Sequence, residues 1–146
     1  GPFPKPFEAD KLDGEAAFTA QAPRLPAGWV AAELDLANPG NNLILLFGQQ
    51  TDCFAYAITR IRSPEPQAAE LLIGSDDGVA AWLNGEQVLA NLGVNRGLAA
   101  DQERVKIQLR AGDNVLLLKI TQGMGAWGVC ARFAGLSKPV AAIRPE

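Results

Sequence analysis

Apolar and polar residues alternate along most of this chain in short stretches, which is the pattern of strands that bury one face. Turns rich in Gly, Pro and Asn separate these stretches, and no long helical period interrupts them. The pattern predicts an all-β fold with two antiparallel sheets packed as a sandwich or jelly roll. The apolar block 43–47 is predicted to be a strand or a segment that anchors a loop. The other predicted strands are 30–36, 53–61, 68–73, 78–83, 86–89, 105–109, 114–121 and 127–133.

The segment 74–85 holds the most specific local signal. A predicted strand ends in the acidic turn Asp76-Asp77, a second strand follows, and Asn84-Gly85 comes directly after it. Asn-Gly between apolar stretches predicts a hairpin, because both central residues of a type I′ turn need positive φ. We therefore expect a strand, an acidic turn and a β-hairpin in close succession.

Composition divides the chain into an arm, a body and a tail. Residues 1–28 contain five of the ten prolines and no sustained period, which predicts an extended Pro-rich N-terminal arm. Phe3 and Phe7 are expected to attach this arm to the edge of the sandwich. Residues 29–137 are the predicted β-sandwich domain, and residues 138–146 are predicted to be a C-terminal tail or linker.

Charge and residue content disfavour several classes of function. The net charge of −3 argues against a nucleic-acid partner, because nucleic-acid binding needs clustered Lys and Arg. No apolar run approaches the ~20 residues that cross a bilayer, so no membrane span is predicted. The sequence has no histidine, which removes Ser-His-Asp triads and His-based metal sites. Local carboxylate pairs lie in turns without a cleft signal, so we predict that the chain is not an enzyme.

The segment 74–85 and several other landmarks follow one another in an order that resembles the galactose-binding-like fold of bacterial accessory domains. The resemblance implies a jelly roll that acts as a non-catalytic carbohydrate-binding or accessory module of a larger secreted, periplasmic or cell-surface protein. Its partner would be a glycan or polysaccharide, or a neighbouring domain of the same protein. The alternative is a structural or protein-interaction β-sandwich domain with no small ligand. The landmarks are residues 1–4, 54–57, 74–85, 96, 101–102, 112–120 and 127–128.

The acidic turn is also similar to the core of the protective-antigen-type sugar-binding domain. Residues 75–78 and 82–85 carry this second resemblance. In its yeast adhesin members two adjacent aspartates bind calcium, so the resemblance implies Asp76 and Asp77 as metal ligands and calcium as the cofactor. Calcium prefers six to eight oxygen ligands, which would have to converge from the loop 91–102. The other interpretation is that both aspartates only end a strand and form a turn.

The candidate sugar site combines one tryptophan with this polar loop. Pyranose rings stack on exposed aromatic faces, and strand parity places Trp82 opposite its apolar neighbours, partly exposed or covered by the arm. The alternatives are a core position for Trp82, and a solvated loop in which Arg96 pairs with Asp76 or Asp101. The candidate ligand-binding side chains of the loop are Asn91, Asn95, Arg96, Asp101 and Gln102.

Three further predictions concern positions outside this site. Cys53 and Cys130 are the only cysteines, and they can form a disulfide worth ~4 kcal/mol if their strands are neighbours. Two buried free thiols are the alternative. Lys119 interrupts a leucine-rich strand and is predicted to point outward. The polar loop 49–52 could face the same rim as the acidic turn.

Overall fold

The computed structural model describes residues 2–12, 14–21, 28–33 and 39–143 of the chain. Strands dominate these residues, and the helices are short. In chain order the elements are β1 (Phe3–Pro4), α1 (Glu15–Gln21), a 3-10 turn (Pro39–Asn41), α2 (Asn42–Phe47), β2 (Cys53–Ser63), β3 (Gln67–Asp76), β4 (Val79–Leu83), β5 (Glu86–Asn91), β6 (Glu103–Leu109), β7 (Gly112–Gln122), β8 (Gly128–Ala134) and β9 (Ala141–Ile143).

The strands build two antiparallel sheets that pack against each other. Sheet A has the strand order β1-β2-β7-β4-β5, and β9 also pairs with β2. Sheet B has the order β6-β3-β8. This arrangement confirms the predicted all-β fold and the two-sheet antiparallel β-sandwich.

Inward-facing apolar side chains from both sheets form the core between them. On β3, Leu71 and Ile73 are two residues apart and fully buried. On β7, Leu118 and Ile120 have the same spacing and belong to the same cluster. A spacing of two puts side chains on one face of a strand, and each buried side chain of this size stabilises the fold by about 1.5–3 kcal/mol.

The β4–β5 hairpin turns at Asn84-Gly85, as predicted. Asn84 has φ 51° and Gly85 has φ 89°, which are the positive values that a type I′ turn requires. The Asn84 N–H donates to the Val115 carbonyl at 2.9 Å, and its side-chain oxygen accepts from the Val115 N–H at 2.9 Å. The turn is therefore held to β7 as well as closed on itself.

The segment 43–47 forms helix α2, so the prediction of a strand there was wrong. Leu43 is buried, Ile44 and Phe47 pack against the core, and the two residues between Ile44 and Phe47 are exposed. This spacing fits one face of a helix. A run of five apolar residues does not distinguish a short helix from a buried strand, so its packing decides the outcome.

Both ends of the predicted sandwich domain differ from expectation. Residues 30–33 of the predicted strand 30–36 are irregular, and residues 34–36 lie outside the described residues. At the other end, the predicted tail or linker contributes β9, which pairs with Arg60 to Arg62 of β2. Residues beyond 137 thus add a strand to sheet A.

The two cysteines are free thiols, as in the second alternative, but only Cys53 is buried, whereas Cys130 is partly exposed. Cys53 lies on β2 of sheet A and Cys130 on β8 of sheet B, and these strands are not neighbours. Burial, followed by the nearby Asp52 carboxylate, raises the pKa of the Cys53 thiol. Neither sulfur is joined in a disulfide.

Candidate functional site

The Asp76–Asp77 turn lies at one end of the sandwich, where β3 stops and β4 begins. Asp76 is 7% exposed and Asp77 is 5% exposed, and the peptide bond between them is cis. Buried carboxylates require partners, because an unpaired ionised group is costly away from water. The partners of these two side chains therefore define the site, which we call the acidic rim: the turn 75–78, the loop 91–102 and the loop 123–126.

Asp77 connects the two loops of the acidic rim. Its Oδ1 accepts the backbone N–H of Arg96 at 2.9 Å, and its Oδ2 accepts the backbone N–H of Gly123 at 2.7 Å. Charge-assisted bonds of this kind are stronger than bonds between neutral groups. One carboxylate thus fixes two loops, whose donors lie 19 and 46 residues after Asp77 in the sequence.

Asp76 is the less completely satisfied of the two carboxylates. Burial, followed by the neighbouring Asp77 carboxylate, raises the pKa of Asp76 to about 6, and a hydrogen bond from the Leu98 N–H opposes this shift. Desolvation and a like charge both disfavour the ionised form. The carboxyl of Asp76 therefore titrates well above an ordinary aspartate.

Arg96 reaches across the acidic rim and pairs with a residue that the sequence analysis did not select. Its guanidinium donates to Glu103 Oε1 at 2.7 Å and to Ser75 Oγ at 3.0 Å. Asn91 donates its amide to the same Glu103 oxygen at 2.7 Å. The predicted pairing of Arg96 with Asp76 or Asp101 was wrong. Glu103 replaces them because it opens β6, at the end of the loop itself.

The remaining predicted loop residues divide into two groups. Gln102 belongs to the network: its Oε1 accepts from the Ser75 N–H at 2.9 Å, and its Nε2 donates to the Gly97 carbonyl at 2.8 Å. Asp101 does not belong to it, because its carboxylate pairs with Arg132 on β8. Of the predicted loop residues, the structure therefore brings Arg96 and Gln102 to the turn and joins Asn91 to Arg96 through Glu103, while Asn95 lies near Gly123.

Two glycines allow the loop 91–102 to lie directly on the backbone of the turn. A Cβ on Gly74 would be 2.1 Å from the Ala99 carbonyl oxygen, and one on Gly78 would be 2.5 Å from the Leu92 carbonyl oxygen. No side chain fits at either distance. The signal was present in the sequence as a glycine on each side of the acidic turn, since glycine within or beside strands often marks close approach of another backbone.

The second polar loop, 49–52, faces the same rim. The Asp52 N–H donates to the Gly123 carbonyl at 2.9 Å, and the Gln49 amide donates to the Gly125 carbonyl at 2.7 Å. The loop 123–126 therefore contacts the acidic turn through the Gly123 N–H and the loop 49–52 through the carbonyls of Gly123 and Gly125.

Trp82 does not form a floor for this site. Its side chain is 5% exposed and belongs to a second apolar cluster on the outer face of sheet A, the face turned away from sheet B. Side chains of the N-terminal arm cover Trp82, which was one of the arrangements considered for this residue. The partly buried members of that cluster are Leu12, Phe18, Trp29, Tyr56, Ile58 and Leu92.

The acidic rim does not provide a calcium site from protein ligands alone. Both oxygens of Asp77 already accept backbone N–H groups. Within the part of the chain that the structure describes, no group of three or more His, Cys, Asp or Glu residues is arranged to hold a metal ion. The set falls well short of the six to eight oxygens that calcium prefers.

Comparisons with known proteins add evidence on the fold only. No protein-family model matches the chain, and no curated protein matches it. Among solved structures the chain is similar to an anti-sigma factor domain-containing protein from Clostridium clariflavum, with a TM-score of 0.51 and 18% sequence identity. The match covers 64% of this chain and 31% of that one, so the chain spans about a third of the neighbour's length. Among the described residues, no helix is long and apolar enough to cross a membrane.

Proposed function

We propose that this chain is a non-catalytic carbohydrate-binding or accessory module of a larger exported protein, and that its ligand site is the acidic rim. One observation carries the proposal: polar residues of the loop 91–102, selected from the sequence, converge on the Asp76–Asp77 turn. Arg96 and Gln102 are hydrogen-bonded to Ser75 of this turn at 3.0 Å and 2.9 Å, and Asn91 donates to the same Glu103 oxygen as Arg96, at 2.7 Å. A polar cluster held this rigidly at the end of a sandwich suits a ligand that is recognised by its hydroxyl groups.

Asp76 is the residue best suited to contact such a ligand. Carboxylate oxygens accept strong hydrogen bonds from hydroxyl groups, and the carboxylate of Asp76 accepts the Leu98 N–H rather than bridging two loops. Its neighbour Asp77 is committed to the two loops, so Asp77 positions the site and Asp76 remains the acceptor. Calcium, if bound, would take most of its oxygen ligands from sugar hydroxyls and water.

The test is a glycan array probed with the full chain, once with calcium and once with a chelator. We expect binding that Asp76→Asn weakens by at least tenfold, since a hydrogen bond to a charged group contributes about 1.5–3 kcal/mol. Asp113→Asn is the matched control, because Asp113 is an exposed aspartate that pairs with Arg62 at the opposite end of β7. Loss of binding in chelator would assign calcium to the rim.

Binding that survives Asp76→Asn unchanged would remove the acidic rim as the site. A blank array from a natively folded chain would contradict carbohydrate binding altogether. That result would favour the second candidate, a protein-interaction module. Its supporting observation is the exposure of large apolar side chains: Leu45 is 65% exposed, Leu46 40% and Met124 76%.

A further inference from the structure

The outer face of sheet A carries a buried lysine that is covered by the N-terminal arm. Lys119 lies on β7 and points away from the core between the sheets, as predicted, yet its side chain is only 1% exposed. Its Nζ donates to Glu15 Oε1 at 2.9 Å and to the Ala9 carbonyl oxygen at 2.8 Å. Both acceptors come from the arm, more than 100 residues away in the sequence.

The groups around Lys119 form a receptor for a carboxylate. The Tyr56 hydroxyl donates to the same Glu15 Oε1 at 2.6 Å, so one carboxylate oxygen accepts an ammonium and a phenol. The Nζ also lies 4.6 Å from the centre of the Phe54 ring and 5.6 Å from that of Tyr56. Aromatic faces at these distances attract a cation and hold it in place.

The same face recognises the arm through its backbone and through apolar contacts. At the edge of sheet A, β1 pairs with β2 with Phe3 opposite Phe54, and the Lys5 N–H donates to the Asp52 carbonyl at 3.0 Å. Further along, apolar side chains of the arm pack with Trp82 of β4. Backbone pairing at a sheet edge combined with side-chain recognition is a common mode of peptide binding.

The contact between the arm and the outer face of sheet A can open without unfolding of the sandwich. A helix of seven residues is not stable alone in water, and α1 therefore depends on the face that it covers. The ion pair between Lys119 and Glu15 is buried, so its attraction is offset by the loss of hydration of both charges. Lifting the arm returns both charges to water, which lowers the cost of opening. Such a segment can open locally while the core stays folded.

We propose that the outer face of sheet A is a docking site for an acidic peptide segment, and that the chain's own arm occupies this site in cis through Glu15. The partner carries a glutamate or aspartate flanked by apolar residues, which is the chemistry of the arm itself. The tethered arm competes at an effective concentration of about millimolar, so an external segment binds weakly until the arm is loosened. This site is separate from the acidic rim, and the proposal does not depend on carbohydrate binding.

The test uses a fluorescently labelled peptide of residues 2–21 and the full chain, with binding followed by anisotropy. We expect weak binding to the unmodified chain and binding at least about tenfold tighter to Glu15→Ala, whose arm no longer competes through its carboxylate. Glu8→Ala is the matched control, because Glu8 is an exposed carboxylate on the same arm. Its affinity for the peptide should equal that of the unmodified chain.

Two further variants identify the receptor. In the Glu15→Ala background, Lys119→Met should weaken peptide binding by about thirtyfold or more, as expected for truncating one partner of a desolvated charge pair. Tyr56→Phe removes only the hydroxyl and should weaken it by about tenfold. Tyr56→Phe keeps the test decisive if Lys119→Met does not fold.

Three outcomes would overturn the proposal. The peptide could bind none of the variants, or it could bind Glu15→Ala equally well with and without the Tyr56 hydroxyl. A polymer of uronic acids could also bind Glu15→Ala in place of the peptide, which would make the face a site for sugar acids.

Discussion

The acidic rim and the arm-covered face of sheet A both bury a carboxylate, but they satisfy it in different ways. At the rim, Asp77 accepts two backbone N–H groups from loops that are closely packed against the turn. On the outer face, Glu15 accepts a lysine ammonium and a tyrosine hydroxyl from a sheet that is 41 to 104 residues away in the sequence. Backbone donors fix the rim, whereas side-chain donors hold the arm.

This difference separates a rigid site from a releasable one. Opening the rim would expose backbone carbonyls that now lie against Gly74 and Gly78, and would strip Asp77 of both donors. Opening the arm breaks a two-residue strand pairing, the Tyr56 hydrogen bond and one buried ion pair, and it uncovers the apolar cluster around Trp82, but the charges of the ion pair regain their hydration. We therefore expect substitutions at the rim to destabilise the fold more than substitutions that release the arm.

The largest effect is expected for Gly74→Ala, which tests the rigidity of the rim. The new Cβ would lie 2.1 Å from the Ala99 carbonyl oxygen, so the loop 91–102 has to move. Urea denaturation should show a loss of about 3 kcal/mol in the free energy of unfolding, or more. Gly97→Ala is the matched control in the same loop, because a Cβ there meets nothing within 4 Å. Equal stability of the two variants would contradict a tightly packed rim.

Glu15→Ala is expected to cost less, about 2 kcal/mol of unfolding free energy. Leaving a buried charge unpaired is strongly unfavourable, but here the arm can lift and return Lys119 to water, which limits the loss. Hydrogen exchange should show faster exchange at Leu12, Gly14 and Phe18 while the amides of β7 stay protected. Glu8→Ala should leave both readouts unchanged. Faster exchange throughout β7 would mean that the arm is part of the cooperative core.

The contrast between the two regions also marks what the sequence could predict. The strands, the turn at Asn84-Gly85 and the grouping of rim residues depend on short-range patterns, and Asn91, Arg96 and Gln102 follow one another in a single loop. Glu103 was missed because it opens a strand whose exposed alternate positions resemble any solvated face. Local pattern therefore located the rim, although it assigned the wrong partner to Arg96.

Short-range sequence patterns could not predict that the arm covers the outer face of sheet A. Trp82 and Lys119 both lie on strand positions that point away from the core, and parity alone cannot say what lies above an outer face. Glu15 and Lys119 are 104 residues apart, so nothing in the spacing joins them. Helix α2 was missed for a related reason, since its apolar run has no distinctive period and its packing against the core decides its form.

The third prediction uses pH to sharpen the comparison. The pKa of Asp76 is raised to about 6 in the folded chain and is that of an ordinary aspartate when unfolded, so the folded state holds the proton more tightly between these values. The contribution of Asp76 to stability should therefore fall as pH rises from about 4 to about 6, by about 1–2 kcal/mol. Asp76→Asn should abolish this contribution, as measured by thermal denaturation in chelator.

The carboxylate of Asp10, which caps the start of α1, should behave in the opposite way. Burial opposes the shift, but N–H groups of Leu12, Glu15 and Gly14 and the charge of Lys119 together hold the pKa of Asp10 below its ordinary value. Its contribution is present above the unfolded pKa and is lost at more acidic pH. Asp10→Asn should therefore act mainly below about pH 4 and should not remove the fall in stability towards pH 6. If Asp10→Asn removed the pH dependence of stability between about pH 4 and 6 as Asp76→Asn does, that dependence would not be a property of the acidic rim.

The smallest expected effect compares two arginines that each pair with one acid. The Arg96 and Glu103 side chains are 22% and 16% exposed, whereas those of Arg132 and Asp101 are 57% and 30% exposed. Arg96→Met should cost about 1 kcal/mol of unfolding free energy, because the partly buried Glu103 carboxylate would keep only the hydrogen bond from the Asn91 amide. Arg132→Met should change it by less than about 0.5 kcal/mol, as is usual for surface pairs. Equal losses would mean that the Arg96 pair is no more than a surface salt bridge. The rigidity of the rim would then rest on Asp77 and on the glycine contacts alone.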